Sequence, residues 1–341
     1  MNHPDFASFA AALPSEGKLV LCTHRHPDPD GLGALVGVQQ LLLEKFDIQS
    51  DLVLEGRIRR AENVAMRRML RIEALPKGAV DPAVYCGAIV VDAQPAFSHT
   101  HPPGGIPILG VIDHHDASEK SEDDESNAFR WVDSNFGATS TMIWSLMRAF
   151  EIEPNERTAT ALFCGIRYDT NDLARDSTEL DETAYFSLQR LANRAWIDAI
   201  DHPPLPRDYF RQMARAIDSC EVSGIVLLTL LGEVDSPETV AEVADWFVRL
   251  EGQQWSLAGG ACDGRYQVSL RTDLPGADAY PALRYILGRE GSCGGHGRMA
   301  GGQIPVGEMS VGEIESLISR RARELFGVTD ETREPLSSTR S

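Results

Sequence analysis

The chain is short of several things that would have decided its class at once. Nowhere in its 341 residues is there an apolar run near the roughly 18–20 residues that a membrane helix needs. The opening "MNHPDFASFAAALPSEGK" has no basic region followed by an apolar core. No secretory signal is therefore expected, and the expected setting is cytoplasmic, without a membrane partner. The six cysteines, at 22, 86, 164, 220, 262 and 293, form no CxxC pair, which removes a zinc ribbon and a thioredoxin-type motif. In a chain of this size they read as reduced packing residues rather than a disulfide framework. Positive charge is scarce: 32 Lys and Arg stand against 51 Asp and Glu, a net charge of −19. Such a surface repels long polyanions, so long duplex nucleic acid is not expected as a partner. A small anionic substrate stays open, because a metal ion or local arginines can reverse the sign inside one cleft.

What is present is an ordinary globular composition, 43% hydrophobic, 24% charged and 7% aromatic, at a length comfortable for two domains. "KLVLCTH" reads as a buried strand and "GLGALVGVQQLLLEKF" as the helix after it. "IQSDLVLEG", "GAIVVDA", "IPILGVIDHH" and "FRWVDS" read as further strands. "RRAENVAMRRMLRI", "ATSTMIWSLMRAF", "ERTATALFCGIRY" and "DETAYFSLQRLANRA" carry apolar residues at helical spacing. This alternation predicts an α/β fold, a doubly wound, mostly parallel sheet domain over residues 1–200, plus a smaller α/β C-terminal domain. The prolines of "IDHPPLPRDY" place a linker at 201–214. The second domain, 215–327, reads as strand "GIVLLTLLG", helix "ETVAEVADWFVRLEG", and a hairpin of "QWSLAGGAC" and "RYQVSLRTD". Helix "AYPALRYILGRE", the glycine-rich loop "GSCGGHGRMAGGQ" and a last helix "VGEIESLISRRARELFG" complete it. The polar tail 328–341 is expected to be disordered, and the acidic run 118–126 to be a solvated loop.

Ligands of open parallel sheets bind beyond the carboxyl ends of the strands. Four reactive stretches sit at or near such ends. They are His24-Arg-His-Pro-Asp28-Pro-Asp30, Asp92 in "VVDAQP", Asp113-His114-His115 in "GVIDHH", and Asp169 in "GIRYDT". A lone strand-end Asp often does no more than cap the next segment. Several carboxylates converging on one edge repel one another and titrate upward, unless divalent cations neutralise them. Mixed imidazole and carboxylate donors suit manganese, with magnesium, cobalt or zinc as alternatives. The remaining histidines carry less. His26 reads as exposed. His99 and His101 form an alternating pair in a Pro/Gly loop without nearby carboxylates, and read as surface residues, as do His3 and His202.

"H-x-x-x-D-x-D", a strand-end Asp, "DHH" and "GIRYDT", in this order, resemble the motifs of the DHH phosphoesterases. "GGHGRMAGGQ" resembles the glycine-rich loop of the small domain that accompanies them, and the resemblance spans residues 18–304. In layout it is most similar to the nanoRNase and pAp-phosphatase group. The resemblance implies two divalent cations, the first held by His24, Asp28 and Asp92. The second would be held by Asp30, Asp92, His114 and Asp169, with Asp92 bridging. It also implies that Asp113 orients His114, that His115 faces the scissile phosphate, and that Gly294, Gly295 and His296 cradle the substrate. Arg271 would bind a phosphate or carboxylate, so that substrate spans both domains. This chain departs from the family in having Pro29 between the aspartates and Ala34 at a later small position. "NDLARDST" stands where a glycine and an aromatic are the rule. The "GATST" segment, 137–141, either caps a phosphate with a helix N-terminus or simply starts a helix.

The expected activity is metal-dependent hydrolysis of short nucleotides by two-metal activation of a bridging hydroxide. Candidate substrates are oligoribonucleotides, linear dinucleotides and pAp. A cyclic-dinucleotide phosphodiesterase, a polyphosphate or pyrophosphate hydrolase, and a nucleotide-binding sensor are the alternatives. Arg265, Arg271, Arg284, Arg289 and Arg298 are too spaced out to neutralise a compact tetra-anion, and the intact set of metal-type residues argues against a sensor. A homodimer is compatible with the sequence.

Overall fold

Strand β1 (Lys18–Cys22) is buried at four consecutive positions, the mark of a strand covered on both faces. It lies between β2 (Gln49–Leu54) and β4 (Tyr85–Val91), parallel to both. With β3 (Ala74–Pro76), β5 (Ile108–Asp113) and β6 (Phe129–Val132) it forms an all-parallel sheet in the order β3-β2-β1-β4-β5-β6. The chain winds one way from β1 to β3, then returns to β4 and winds the other way. This leaves a topological switch point between β1 and β4, where ligand crevices form. We describe the protein from a computed structural model, over residues 6–97, 100–116, 128–328 and 333–338.

One face of this sheet packs on helices α2 (Pro29–Phe46), α4 (Thr139–Ala149) and α5 (Glu156–Thr170). Helices α1 (Phe6–Ala12), α3 (Ala61–Met69), α6 (Glu179–Leu191) and α7 (Arg194–Asp201) add to the same core. The other face carries Val20, Cys22, Val53, Ala88, Val90 and Val111, covered by chain that includes Val80, Ala93 and Ile106. Helix α2 starts immediately after the His24 loop for a local reason. Asp28 is its N-cap, accepting from the Asp30 and Gly31 N–H groups at 3.1 Å. Pro29 occupies the first helical position, where its missing N–H costs nothing and its fixed φ is already helical. That accounts for the unusual proline between the aspartates.

The chain divides into two compact units between Pro204 and Leu205. The second has helices on both faces of a mixed sheet ordered β11-β12-β10-β9-β8-β7-β13. Its strands are β7 (Cys220–Ser223), β8 (Val226–Glu233), β9 (Trp255–Cys262), β10 (Arg265–Thr272), β11 (Ser292–His296), β12 (Met299–Pro305) and β13 (Arg333–Pro335). Helices α10 (Ala279–Leu287) and α11 (Val311–Phe326) pack on one face, α8 (Arg207–Ser219) and α9 (Pro237–Phe247) on the other. The expected β9–β10 hairpin is present. Its turn is Asp263-Gly264, both at positive φ, as a two-residue primed turn requires. No helix among the described residues is long and apolar enough to cross a membrane.

Three expectations change. The segment read as a linker is a bare connection only at 202–206. From Arg207 it is helix α8, which buries Met213 and Ala216, and Pro206 marks its start rather than a flexible link. The tail is not wholly without structure: Arg333–Pro335 pairs antiparallel with β7, and Leu336 packs on the core beneath α8 and α9. The glycine-rich "loop" is an edge hairpin, β11 paired with β12. The acidic run 118–126 lies outside the described residues.

Helix α4 and the turn before it depend on a side chain that sequence patterning did not single out. Asp181, in the first turn of α6, is 0% exposed. Its carboxylate accepts from Gly137 N–H at 2.9 Å, Thr178 N–H at 2.8 Å, Thr178 Oγ1 at 2.7 Å and Thr141 Oγ1 at 2.5 Å. Asp181→Ala leaves these donors, those of Gly137 and Thr141 buried, without an acceptor. It is expected to cost about 3 kcal/mol, read as an earlier urea transition of the larger unit by circular dichroism.

Candidate metal centre

Three segments that follow β1, β4 and β5, together with the end of α5, bring the reactive residues together at the carboxyl edge of the parallel sheet. His24 and Asp28 lie between β1 and α2, and Asp30 in the first turn of α2. Asp92 follows β4, at positive φ. His114 and His115 follow β5, and Asp169 closes the last turn of α5. His24, Asp28 and Asp92 offer donor atoms within 4.8 Å of one another. So do Asp30, Asp92, His114 and Asp169, and also Asp92, His114 and His115. Asp92 is common to every group. Gly31 lies directly over the cluster. A Cβ there would meet Thr23 Oγ1 at 2.8 Å, Asp92 Oδ2 at 3.2 Å and His24 Nε2 at 3.4 Å.

The imidazoles are held in one tautomer. His24 Nδ1 lies 3.0 Å from the Arg25 carbonyl, and His114 Nδ1 3.2 Å from the Phe136 carbonyl. A carbonyl only accepts, so in each ring Nδ1 carries a proton and Nε2 faces the acids. His24 Nε2 is 3.5 Å from Asp92 and 3.7 Å from Asp28. His114 Nε2 is 3.0 Å from Asp169 Oδ2 and 3.7 Å from Asp92 Oδ1. Yet it is buried without an aligned hydrogen-bond partner.

Burial and charge displace most of these groups. Burial disfavours charge on His24 and His114, but hydrogen bonds and attraction from their carboxylates outweigh it and hold both well above the ordinary imidazole range. Burial pushes Asp30 well up, reinforced by the negative charges of Asp92 and Asp169. Burial likewise lifts Asp169 to about 6, against the pull of His114. Asp28 goes the other way, to about 2, because the His24 contact and the Gly31 N–H offset its burial.

A second layer holds the first. Both oxygens of Asp30, 0% exposed, accept from the N-terminus of α4: Thr139 N–H at 2.7 Å and Ser140 N–H at 2.8 Å. The "GATST" segment thus starts a helix, and its free N–H groups are spent on Asp30. Thr139 Oγ1 donates to Asp92 at 3.1 Å and accepts from His114 N–H at 3.3 Å. Asp113 does not orient His114, as the sequence suggested. It accepts from His115 Nδ1 at 2.8 Å, because His114 is turned to the Phe136 carbonyl. Gln94 Nε2 donates to the other Asp113 oxygen at 2.7 Å and Arg130 donates to Gln94 at 3.1 Å. Buried Asp113 opposes its own ionisation, but His115 and Gln94 draw it below the usual carboxylate range. His115, although partly buried, is raised by Asp113 and Asp92. Thr139 and Gln94 stand inside the quoted "GATST" and "VVDAQP". Only their proximity to the cluster gives them a role.

The other histidines stay apart. His26 is half-buried rather than exposed, its ring against the Arg57 backbone. His101 is exposed but has a carboxylate after all, Glu55 at 3.3 Å. His202 is exposed beside Asp198. His3 and His99 lie outside the described residues. In the second unit, Arg271 donates to Asp245 at 2.5 Å and to Ser269 Oγ at 2.8 Å. Gly294 and Gly295 lie on the edge strand β11 opposite Gly301 and Ala300, with His296 opposite Met299.

These residues fit divalent cations. Nitrogen and oxygen donors are mixed, and a buried imidazole nitrogen lacks an aligned partner. No lysine or arginine side chain pairs with the carboxylates of Asp28, Asp30, Asp92 or Asp169 among the described residues; Arg175 donates to the Asp169 backbone carbonyl at 2.7 and 3.2 Å. A switch-point crevice so lined has the make-up of a divalent-metal centre. Residues 18–166 match the DHH family, N-terminal domain. An uncharacterised protein from Methanocaldococcus jannaschii is 27% identical over 323 residues. The match covers 92% of this chain and 65% of that protein, so the chain spans less than two thirds of the relative's length. The fold is similar to the crystal structure of an exopolyphosphatase-related protein from Bacteroides fragilis. That likeness has a TM-score of 0.72 at 14% identity, over 94% of this chain and 97% of the other.

Cations bind the unprotonated imidazoles, so His24 and His114, protonated near neutrality in the metal-free chain, must release protons. Manganese affinity is therefore expected to rise from pH 6 to pH 8. Calorimetry in two buffers of different protonation enthalpy should show net proton release, and a pH-independent affinity would contradict the ligand set. Gly31→Ala should weaken manganese binding by roughly tenfold or more, an estimate for second-layer disturbance, while the circular dichroism spectrum is kept.

Proposed function

We propose that the chain is a metal-dependent phosphoesterase acting on short nucleotides. The single observation that carries this reading is the switch-point cluster, in which two donor groups share Asp92. His24, Asp28 and Asp92 would hold one cation, and Asp30, Asp92, His114 and Asp169 the other, with manganese the best match to the donor set. Bound there, divalent cations supply Lewis acidity and a water of lowered pKa. The side chains do the rest. His115 gives its Nδ1–H to Asp113, so Nε2 is the nitrogen left for substrate, and the ring is 44% exposed. The Asp113 hydrogen bond favours the protonated ring, which suits His115 to give a proton to the leaving oxygen. Thr139 and the α4 N-terminus fix Asp92 and Asp30 before substrate arrives, which avoids rearranging the donors during the reaction.

Short nucleotides are favoured for two reasons. The acidic chain opposes long polyanions. Phe97 packs perpendicular to His115, with ring centroids 6.1 Å apart, which puts beside the cluster an aromatic ring of the kind on which a base stacks. In the second unit, Arg271, Gly294, Gly295 and His296 are assigned to substrate recognition. Arg271 is only 13% exposed in its side chain and is held by Asp245, which presets its orientation. The exopolyphosphatase-related neighbour makes hydrolysis of a phosphoanhydride chain the second reading.

A substrate panel separates these readings: pAp, pGpG, c-di-AMP, an RNA 5-mer and pyrophosphate, each with manganese. Turnover of pAp, pGpG or the 5-mer is expected, and turnover of pyrophosphate alone would favour the second reading. Asp92→Ala should abolish hydrolysis with little loss of fold, and near-parent activity in that variant would sink the proposal. Arg271→Ala should weaken binding of a non-hydrolysable dinucleotide by roughly ten- to a hundredfold, the loss of one charge-assisted contact. Manganese binding should be unchanged.

A further inference from the structure

Beside the metal cluster, the backbone brings two arginines, Arg25 and Arg57, close together. Arg25 follows His24 directly, and Arg57 lies in the segment from Glu55 to Arg60 that joins β2 to α3. Both are exposed, and neither side chain has an acidic partner among the described residues.

Their proximity is built in. His26 N–H donates to the Glu55 carbonyl at 3.0 Å. The His26 ring sets Nδ1 2.9 Å from the Arg57 carbonyl and 3.2 Å from the Arg57 N–H. Gly56, between these residues, has φ +81°, and a Cβ on it would stand 2.7 Å from His26 Nδ1 and 3.1 Å from Arg25 Cγ. The stem of Arg25 thus lies against the residue before Arg57. At its far end the segment is fastened again. Arg60 Nη1 donates to Tyr168 Oη at 3.0 Å, with its guanidinium 5.3 Å from the Tyr168 ring. Tyr168 precedes Asp169. The segment is therefore tied two residues from His24 and one residue from Asp169, along the flank of the cluster.

We propose that Arg25 and Arg57 form an anion subsite at the rim of the metal cluster, which takes a substrate phosphate other than the one hydrolysed. The proposal rests on the phosphoesterase reading and deepens it to a substrate class: short nucleotides with a second, terminal phosphate. Two arginines whose chain positions are held this close can converge on one anion, and planar guanidinium forks match phosphate oxygens in pairs. In a chain of net charge −19, such a pair also supplies the local attraction that an anionic ligand otherwise lacks.

The test is the double variant Arg25→Gln/Arg57→Gln, assayed with manganese on pApA, ApA and bis(p-nitrophenyl) phosphate. The substitutions are on exposed side chains and leave the proposed ligands untouched. The value of kcat/KM for pApA is expected to fall roughly ten- to a hundredfold, the range for lost charge-assisted contacts. Activity on ApA and on the synthetic diester should stay within about twofold. Unchanged pApA kinetics, or an equal loss on all three substrates, would overturn the subsite. If the parent turns over none of them, the phosphoesterase reading fails by itself. The subsite is then decided by calorimetry of inorganic pyrophosphate on the metal-free chain: roughly tenfold weaker binding in the double variant supports it, and equal affinity overturns it.

Discussion

Four carboxylates, from Asp28, Asp30, Asp92 and Asp169, face one crevice with no lysine or arginine paired to them among the described residues. Two of them, Asp30 and Asp92, are 0% and 2% exposed. Burying such a group ionised is costly unless it is paired and hydrogen-bonded. Much of the larger unit can be read as a response to that cost. Helix α4 gives its first N–H groups to Asp30. Thr139 gives its hydroxyl to Asp92. Two imidazoles, each locked by a backbone carbonyl, turn Nε2 to the acids. The remaining imbalance is what divalent cations would neutralise.

The same constraint separates the two adjacent histidines. His114 is turned inward by the Phe136 carbonyl and joins the donor groups. His115 is turned to Asp113, which Gln94 and Arg130 hold from behind. One "DHH" run thereby supplies a metal-type ligand and a proton-bearing group from neighbouring positions. Close packing makes this workable. At Gly165 of α5 a Cβ would stand 2.8 Å from Asp30 Oδ1, so the helix can approach the carboxylate only as glycine.

Much of the fold was legible because its signals are local. Runs such as "KLVLC" are apolar throughout, as strands buried on both faces must be, and helical spacing marks α2, α4 and α5. Helix α8 and strand β13 were missed for opposite reasons. The prolines before Arg207 masked a strongly amphipathic segment, and the polar tail offers little pattern of its own and pairs because β7 presents an open edge. The "GGHGRMAGG" stretch was read as a loop, since glycine weakens strand propensity, yet pairing with β10 through β12 overrides it.

The sequence alone determined the order of the main strands and helices, and which of their ends carry Asp and His, since both follow from local periodicity and residue chemistry. It did not determine which hydrogen bonds each ring makes. The pairing of Asp113 with His115 rather than His114 depends on where the Phe136 carbonyl lies, a residue 22 positions from His114. The capping of Asp30 by α4 joins positions 109 and 110 residues apart, as does the closeness of Tyr168 to Arg60 across 108 residues. Such contacts are set by how helices and loops pack on the sheet, and no local pattern encodes them.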